Sequence, residues 1–176
     1  MNNKGFTLVE VLAVVAIITI LGLVATPSVL SMINTSKNSS YDIMVDNIRI
    51  AAEEAYEEIE YFDSKIYYYS VLGKENTLVL LDDNKIIVDL QTLVGNGFLS
   101  GKNNDEYEGE NKNKKIIINP KTNNDIGICE IEVTKKVNDS TGKVCYIING
   151  YDGEDEYKKA NCPTSDDFGG DNQCAT

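Results

Sequence analysis

Residues 6–25 form an apolar run that is uncharged apart from one glutamate, Glu10. That run constrains the chain more than any other feature. About 20 apolar residues, each rising ~1.5 Å in a helix, suffice to cross a hydrocarbon core of ~30 Å. A charge in a helix of that kind is expensive and therefore rarely idle. Ahead of the run stands a short leader, Met1-Asn2-Asn3-Lys4-Gly5. A cut after Gly5 would create a free amine on Phe6, one helical turn from Glu10 and about 6 Å away along the axis. Copies of such a rod can pack side by side, the carboxylate of one meeting the amine of the next. The pattern points to a subunit of a helical filament.

The leader carries Lys4, and the next cation, Lys37, lies well past the apolar run. The positive-inside rule then keeps the leader cytoplasmic and exports the remainder. An ordinary signal peptide would be cut behind its apolar region. Here the run flows directly into a helical pattern. Tyr41, Met44, Ile48, Ala51, Ala55, Ile59 and Phe62 recur every three or four residues, and Glu53, Glu54, Glu57, Glu58 and Glu60 fill the polar positions. One helix over 6–62 is predicted, some ~85 Å long. It is apolar all round in its first half and apolar on one face, against a folded head, in its second. Gly22 and Pro27 interrupt it. They mark either a kink of the tolerated membrane kind or a point of planned flexibility.

Composition removes several functions. The chain has no histidine and no tryptophan. Ser-His-Asp and Cys-His catalysis, HExxH zinc chemistry and imidazole proton transfer are therefore excluded. No enzyme activity and no cofactor are expected. A net charge of −12 disfavours a nucleic-acid phosphate backbone as partner. Asp152, Glu154, Asp155 and Glu156, or Asp166, Asp167 and Asp171, offer hard oxygens for calcium, but neither set has EF-hand spacing, and both read as solvated acidic loops with no metal. Asn34-Thr35-Ser36, Asn38-Ser39-Ser40 and Asn138-Asp139-Ser140 are glycosylation triplets of a kind frequent by chance in such a chain. Cys129, Cys145, Cys162 and Cys174 all lie in the last third. No CxxC pair occurs, so disulfides in an oxidising compartment are expected rather than zinc, with three pairings open.

After the helix, strand signals appear. Residues 77–81 and 85–90 flank Asp82-Asp83-Asn84 as a candidate hairpin. Residues 89–99 read as a short helix or turn punctuated by Gly95 and Gly97, and 101–115 as an exposed loop. Residues 116–118 form a strand stopped by Asn119-Pro120. Residues 126–133 and 143–148 form a second pair joined across 138–142, and the tail from Asn149 lacks periodicity. The expected class is α+β: a long N-terminal helix packed on a small antiparallel sheet of about four strands. The expected segments are a cleaved leader (1–5), an apolar half-helix (6–27), an amphipathic half-helix (28–62) and a head with a C-terminal cysteine loop (63–176).

With these residues in view, the N-terminus resembles a type IV prepilin: Lys4-Gly5, then Phe6-Thr7-Leu8-Val9-Glu10, then an apolar run through Pro27. The resemblance implies that a prepilin peptidase cuts between Gly5 and Phe6. Phe6 then becomes the N-methylated first residue, and Glu10 the assembly charge. Thr19 stands where many members of that family have glycine. Leu90-Gln91-Thr92-Leu93-Val94 with Gly97-Phe98-Leu99 looks like the short-helix segment of many Gram-positive pilins and pseudopilins. The Asn- and Lys-rich composition resembles that of clostridial major pilins. The Cys162–Cys174 pair is similar to the disulfide-bounded loop of many type IV pilins, which leaves Cys129 and Cys145 to join across the second hairpin. The family implies a lollipop-shaped subunit, held in the cytoplasmic membrane with its head outside and then assembled into an extracellular pilus for adhesion, biofilm or twitching-type motility. Implied partners are further copies of itself, the peptidase, an assembly platform with its ATPase, and minor pilins. The competing readings are a pseudopilin of a secretion or DNA-uptake system and a bitopic membrane protein with an acidic binding head.

Overall fold

Helix α1, Leu8–Phe62, passes through two environments, as the change of periodicity predicts. The computed structural model describes residues 7–62, 66–69, 75–78, 84–103, 115–138, 141–170 and 174. Contacts group into two units, Met1–Ser39 and Ser40–Thr176. In the first, the described side chains of α1 are exposed on every face, with Leu8 at 78% and Met32 at 73%. In the second, α1 buries Tyr41, Val45, Ile48, Ala51, Ala52, Ala55, Tyr56 and Ile59, a stripe at three- and four-residue spacing.

The remaining elements are β1 (Ile66–Tyr69), β2 (Glu75–Leu78), β3 (Lys85–Asp89), α2 (Leu90–Gly95), β4 (Lys102–Asn103), β5 (Lys115–Ile116), β6 (Glu130–Val137), β7 (Val144–Asn149), α3 (Glu156–Asn161) and a 3-10 turn, Asp166–Phe168. The fold is α+β. Its main sheet has three antiparallel strands in the order β3-β6-β7, and β1–β2 and β4–β5 form two-stranded ladders. Ile86, Val88, Ile131, Val133 and Ile148 point into the core, in a register that pairs Ile86 with Val133 and Val133 with Ile148. These β-branched residues pack well on a pleated, half-buried surface.

Residues 79–83 of the expected 77–81/85–90 hairpin lie outside the described residues. β3 lies on β6 over its whole length, and among the described residues β2 pairs with β1. The buried alternation of Ile86 and Val88 finds its complement in Ile131 and Val133. The second pair is present but shifted. β6 begins at Glu130 rather than residue 126, because Ile126 N–H donates to Ile117 O, and Gly127 and Cys129 carbonyls accept from Gln91 and Leu90. The β6–β7 connection closes with Asn138 N–H donating to Lys143 O and with Gly142 at φ 68°. The expected 101–115 loop contains the short β4–β5 pairing, with residues 104–114 outside the description.

Helix α2 starts where the sequence places it. Asp89 caps it, accepting from Thr92 N–H at 2.6 Å. Phe98 N–H donates back to Leu93 O, and Gly97 N–H to Val94 O, with Gly97 at φ 88°. A left-handed glycine past the last turn is a common helix stop. The two disulfides join Cys129 to Cys162 and Cys145 to Cys174, correcting the expected Cys162–Cys174 and Cys129–Cys145 pairs. The register gives the reason. Cys145 lies opposite Lys136, seven positions along β6 from Cys129, or about 23 Å at 3.3 Å per residue. A disulfide needs Cα atoms within about 7 Å, and the observed pairs stand at 5.6 and 5.9 Å.

Candidate processing and assembly site

Glu10 begins α1 in a reciprocal hydrogen-bonded cap with Thr7. Thr7 N–H donates to Glu10 Oε2 at 2.8 Å and Thr7 Oγ1 to the same oxygen at 2.9 Å. Glu10 N–H donates to Thr7 Oγ1 at 3.3 Å. Thr-x-x-Glu at a helix start is a capping box, in which each residue satisfies a backbone donor that the first helical turn leaves open. A carboxylate in the first turn also complements the positive end of the helix dipole. The sequence reading missed Thr7, although the spacing Thr7-Leu8-Val9-Glu10 held the signal. The geometry leaves Glu10 with two donors from its own chain, at the end of the helix nearest the predicted cut. Gly5 and Phe6 lie outside the described residues.

Behind this cap, Val9, Val11, Leu12, Val14, Val15, Ile17, Ile18, Ile20 and Leu21 are all exposed. Thr19 returns its hydroxyl to Val15 O at 2.8 Å, which hides that polar group from an apolar surrounding. A side chain at Gly22 would meet nothing within 4 Å, so no packing inside this chain requires glycine there. The helix assignment runs unbroken past Gly22 and Pro27, and the Pro27 side chain is outside the description. Among the described residues, no helix is long and apolar enough to cross a membrane. The described apolar stretch, 7–22, is shorter than the ~20 residues a span requires.

In the second unit the charged groups are spent on the fold. Lys135 Nζ reaches both carboxylate oxygens of Glu60 at 2.7 Å, and Tyr146 Oη donates to Glu57, tying β6 and β7 to the end of α1. Tyr41 Oη donates to Asp167 beneath the Lys121 ammonium, which sits 3.6 Å from the ring centroid. Burial, and next the Asp167 charge, push the Tyr41 hydroxyl pKa well above its usual value. Burial also raises the Glu53 carboxyl, against the opposing pull of Arg49. The acidic clusters considered for calcium are dispersed. Asp155 caps α3 through Lys158 N–H, Asp152 accepts from Ser165 Oγ and Asp167 from Thr164. Asp171 is outside the description. Among the described residues, no group of three or more acidic or cysteine side chains is arranged to hold a metal ion.

The cap, the exposed apolar helix and the leader ahead of them coincide with one known signal. The prokaryotic N-terminal methylation motif matches residues 1–26. This chain carries a type IV pilin-like prepilin signal. The signal marks a prepilin substrate of the pilin or pseudopilin kind and points to a structural protein. It stops short of the head, and no curated protein and no solved structure matches the chain.

Proposed function

We propose that this chain is a structural subunit, the major pilin, of a type IV pilus of the clostridial kind. The observation that carries the reading is the placement of the Glu10 capping box and an all-round apolar helix face directly behind a prepilin cleavage signal. In this reading the peptidase cuts after Gly5 while residues 6–25 lie in the cytoplasmic membrane with the head outside, and Phe6 is methylated. The assembly platform and its ATPase then draw the helix from lipid into a bundle of its own kind, alongside minor pilins. Moving an apolar helix from lipid to protein gains little from the hydrophobic effect, so packing and charge pairing supply the specificity. Glu10, held at the helix start by Thr7, is placed to meet the Phe6 amine of a staggered neighbour and so fix the axial step. Gly22 and Pro27 are the positions at which α1 adjusts to that packing.

The test is processing followed by imaging. Intact mass of the mature protein should show loss of residues 1–5 and a methylated Phe6, and Gly5 replaced by a bulky or charged residue should retain the leader and make no filaments. Normal cleavage of such a variant would sink the assignment. Surface filaments built of this chain support the pilin. Processed subunits with no surface filament mark it instead as a pseudopilin of a secretion or DNA-uptake system.

A further inference from the structure

The two disulfides stand in different surroundings. Cys129 and Cys162 are buried in the core at 0% and 5% exposure, and Cys129 N–H and Cys162 N–H are both used in backbone bonds. Cys145 and Cys174 are half-buried. Cys145 lines an open cleft of about 480 Å³ with Arg49, Glu53, Lys143 and Tyr146. On the neighbouring strand, Lys136 stands directly opposite Cys145, where paired Cβ atoms lie about 5 Å apart. Arg49 pairs with Asp46 and Glu53, and Lys136 and Lys143 lie on the exposed surface near the end of the β6–β7 hairpin. In a chain of net charge −12, half-buried Cys145 thus shares a cleft with Arg49 and Lys143 and faces Lys136 across the strand ladder. Nearby cations favour thiolate over thiol, and exchange is faster where the leaving thiolate is stabilised and the bond is accessible.

We propose that Cys145–Cys174 is a thiol-exchange site for anionic thiols, while Cys129–Cys162 is a permanent staple. The attacking thiolate bonds to Cys174 Sγ, and the electron pair of the broken S–S bond leaves on Cys145 Sγ, with Lys136 opposite on the ladder and Arg49 and Lys143 along the same cleft. A second equivalent of thiolate attacks the mixed disulfide, frees Cys174 as thiolate and departs as the oxidised disulfide. Two electrons pass to the protein, and both cysteine sulfurs take a proton from solvent according to their pKa. Cys174 is then released from β7, while Cys129–Cys162 still ties the start of β6 to the end of α3. This inference does not depend on the assembly reading.

The experiment treats full-length oxidised protein in detergent with three monothiols in parallel: anionic glutathione, neutral 2-mercaptoethanol and cationic cysteamine. Samples are quenched with N-ethylmaleimide and the labelled cysteines identified by peptide mass mapping, with rates corrected for each thiol's own pKa. Cys145 and Cys174 should open at least ~10-fold faster than Cys129 and Cys162, and with glutathione fastest of the three thiols. The double substitution Lys136→Gln/Lys143→Gln, at two exposed positions, should slow glutathione by ~3-fold or more and leave 2-mercaptoethanol less affected. Circular dichroism should show the folded head persisting after Cys145–Cys174 alone has opened. Simultaneous opening of both disulfides, a rate indifferent to thiol charge and to the lysine substitutions, or loss of the fold on opening this bond alone would each overturn the proposal.

Discussion

Removing the Cys129–Cys162 bond, with both cysteines replaced by alanine, should destabilise the head more than removing Cys145–Cys174 in the same way. Chain entropy alone does not separate the two. The sequence separations are 33 and 29 residues, and the loop-closure model assigns about 3.7 and 3.6 kcal/mol respectively. Burial separates them. Cys129 and Cys162 sit in the core, so alanine there also leaves two unfilled sulfur-sized spaces, adding on the order of 1 kcal/mol in total. Cys145 and Cys174 are half-buried, and solvent or neighbouring side chains fill what is lost. The expected costs are therefore about 4–5 kcal/mol against at most about 3.6 kcal/mol. Out of a typical total of 5–15 kcal/mol, the first variant lies near the edge of folding. Urea titration of the full chain in detergent, followed by tyrosine near-ultraviolet dichroism, should move the midpoint by roughly 2–3 M at a slope near 1.5–2 kcal/mol/M. Equal midpoints, or a larger shift for the Cys145/Cys174 variant, would refute the burial argument. A non-reducing peptide map showing Cys162 joined to Cys174 would refute the pairing itself.

Two further outcomes follow from named contacts. If Glu10 acts only as a cap, Thr7→Ala and Glu10→Ala each lose two of the three capping hydrogen bonds, sharing the one between hydroxyl and carboxylate, and should enter sheared filaments equally well. If Glu10 also meets a neighbour's amine, Glu10→Ala should be depleted relative to Thr7→Ala when each is co-expressed with tagged wild type, with membrane levels as the reference. Equal ratios would remove the assembly role. At high pH, a Tyr41 hydroxyl pKa held above 10.0 means that the unfolded chain releases its proton first. The stabilisation it supplies is complete below pH ~10 and is lost as pH rises through the folded value. Alkaline unfolding should therefore steepen above pH 10, and Tyr41→Phe should flatten that fall in part, since Tyr56 and Tyr157 are raised in the same direction. An unchanged alkaline limb in Tyr41→Phe would contradict the assigned burial and Asp167 contact.

Local pattern was enough wherever one element decides its own structure. The apolar run and the stripe from Tyr41 to Ile59 specify α1, because helical period and burial of one face are both properties of consecutive residues. Met44 on that stripe is only partly buried, and Val45, Ala52 and Tyr56 complete it. Asp89 before an apolar turn, with Gly97 after it, specified α2 for the same reason. The prepilin signal, at residues 1–26, is likewise contiguous in sequence. Glu10 was legible as a charge out of place, and its partner Thr7 was legible in the Thr-x-x-Glu spacing, although the helix start was needed to draw attention to it.

Pairings distant in sequence were decided by tertiary structure. Nothing near Lys85–Asp89 announces that it lies on β6. That choice depends on which buried face complements Ile86 and Val88. The cysteine partners turned on the same geometry, because the β6–β7 register holds Cys129 and Cys145 far apart while α3 and the tail bring Cys162 and Cys174 to them. Sequence spacing counts residues along the chain, whereas a disulfide or a strand pair is selected by distance across it. The cationic surroundings of Cys145 belong to this second kind: Arg49, Lys136 and Lys143 come from a helix, a strand and a turn, and only the folded head sets them in its cleft or opposite it on the ladder.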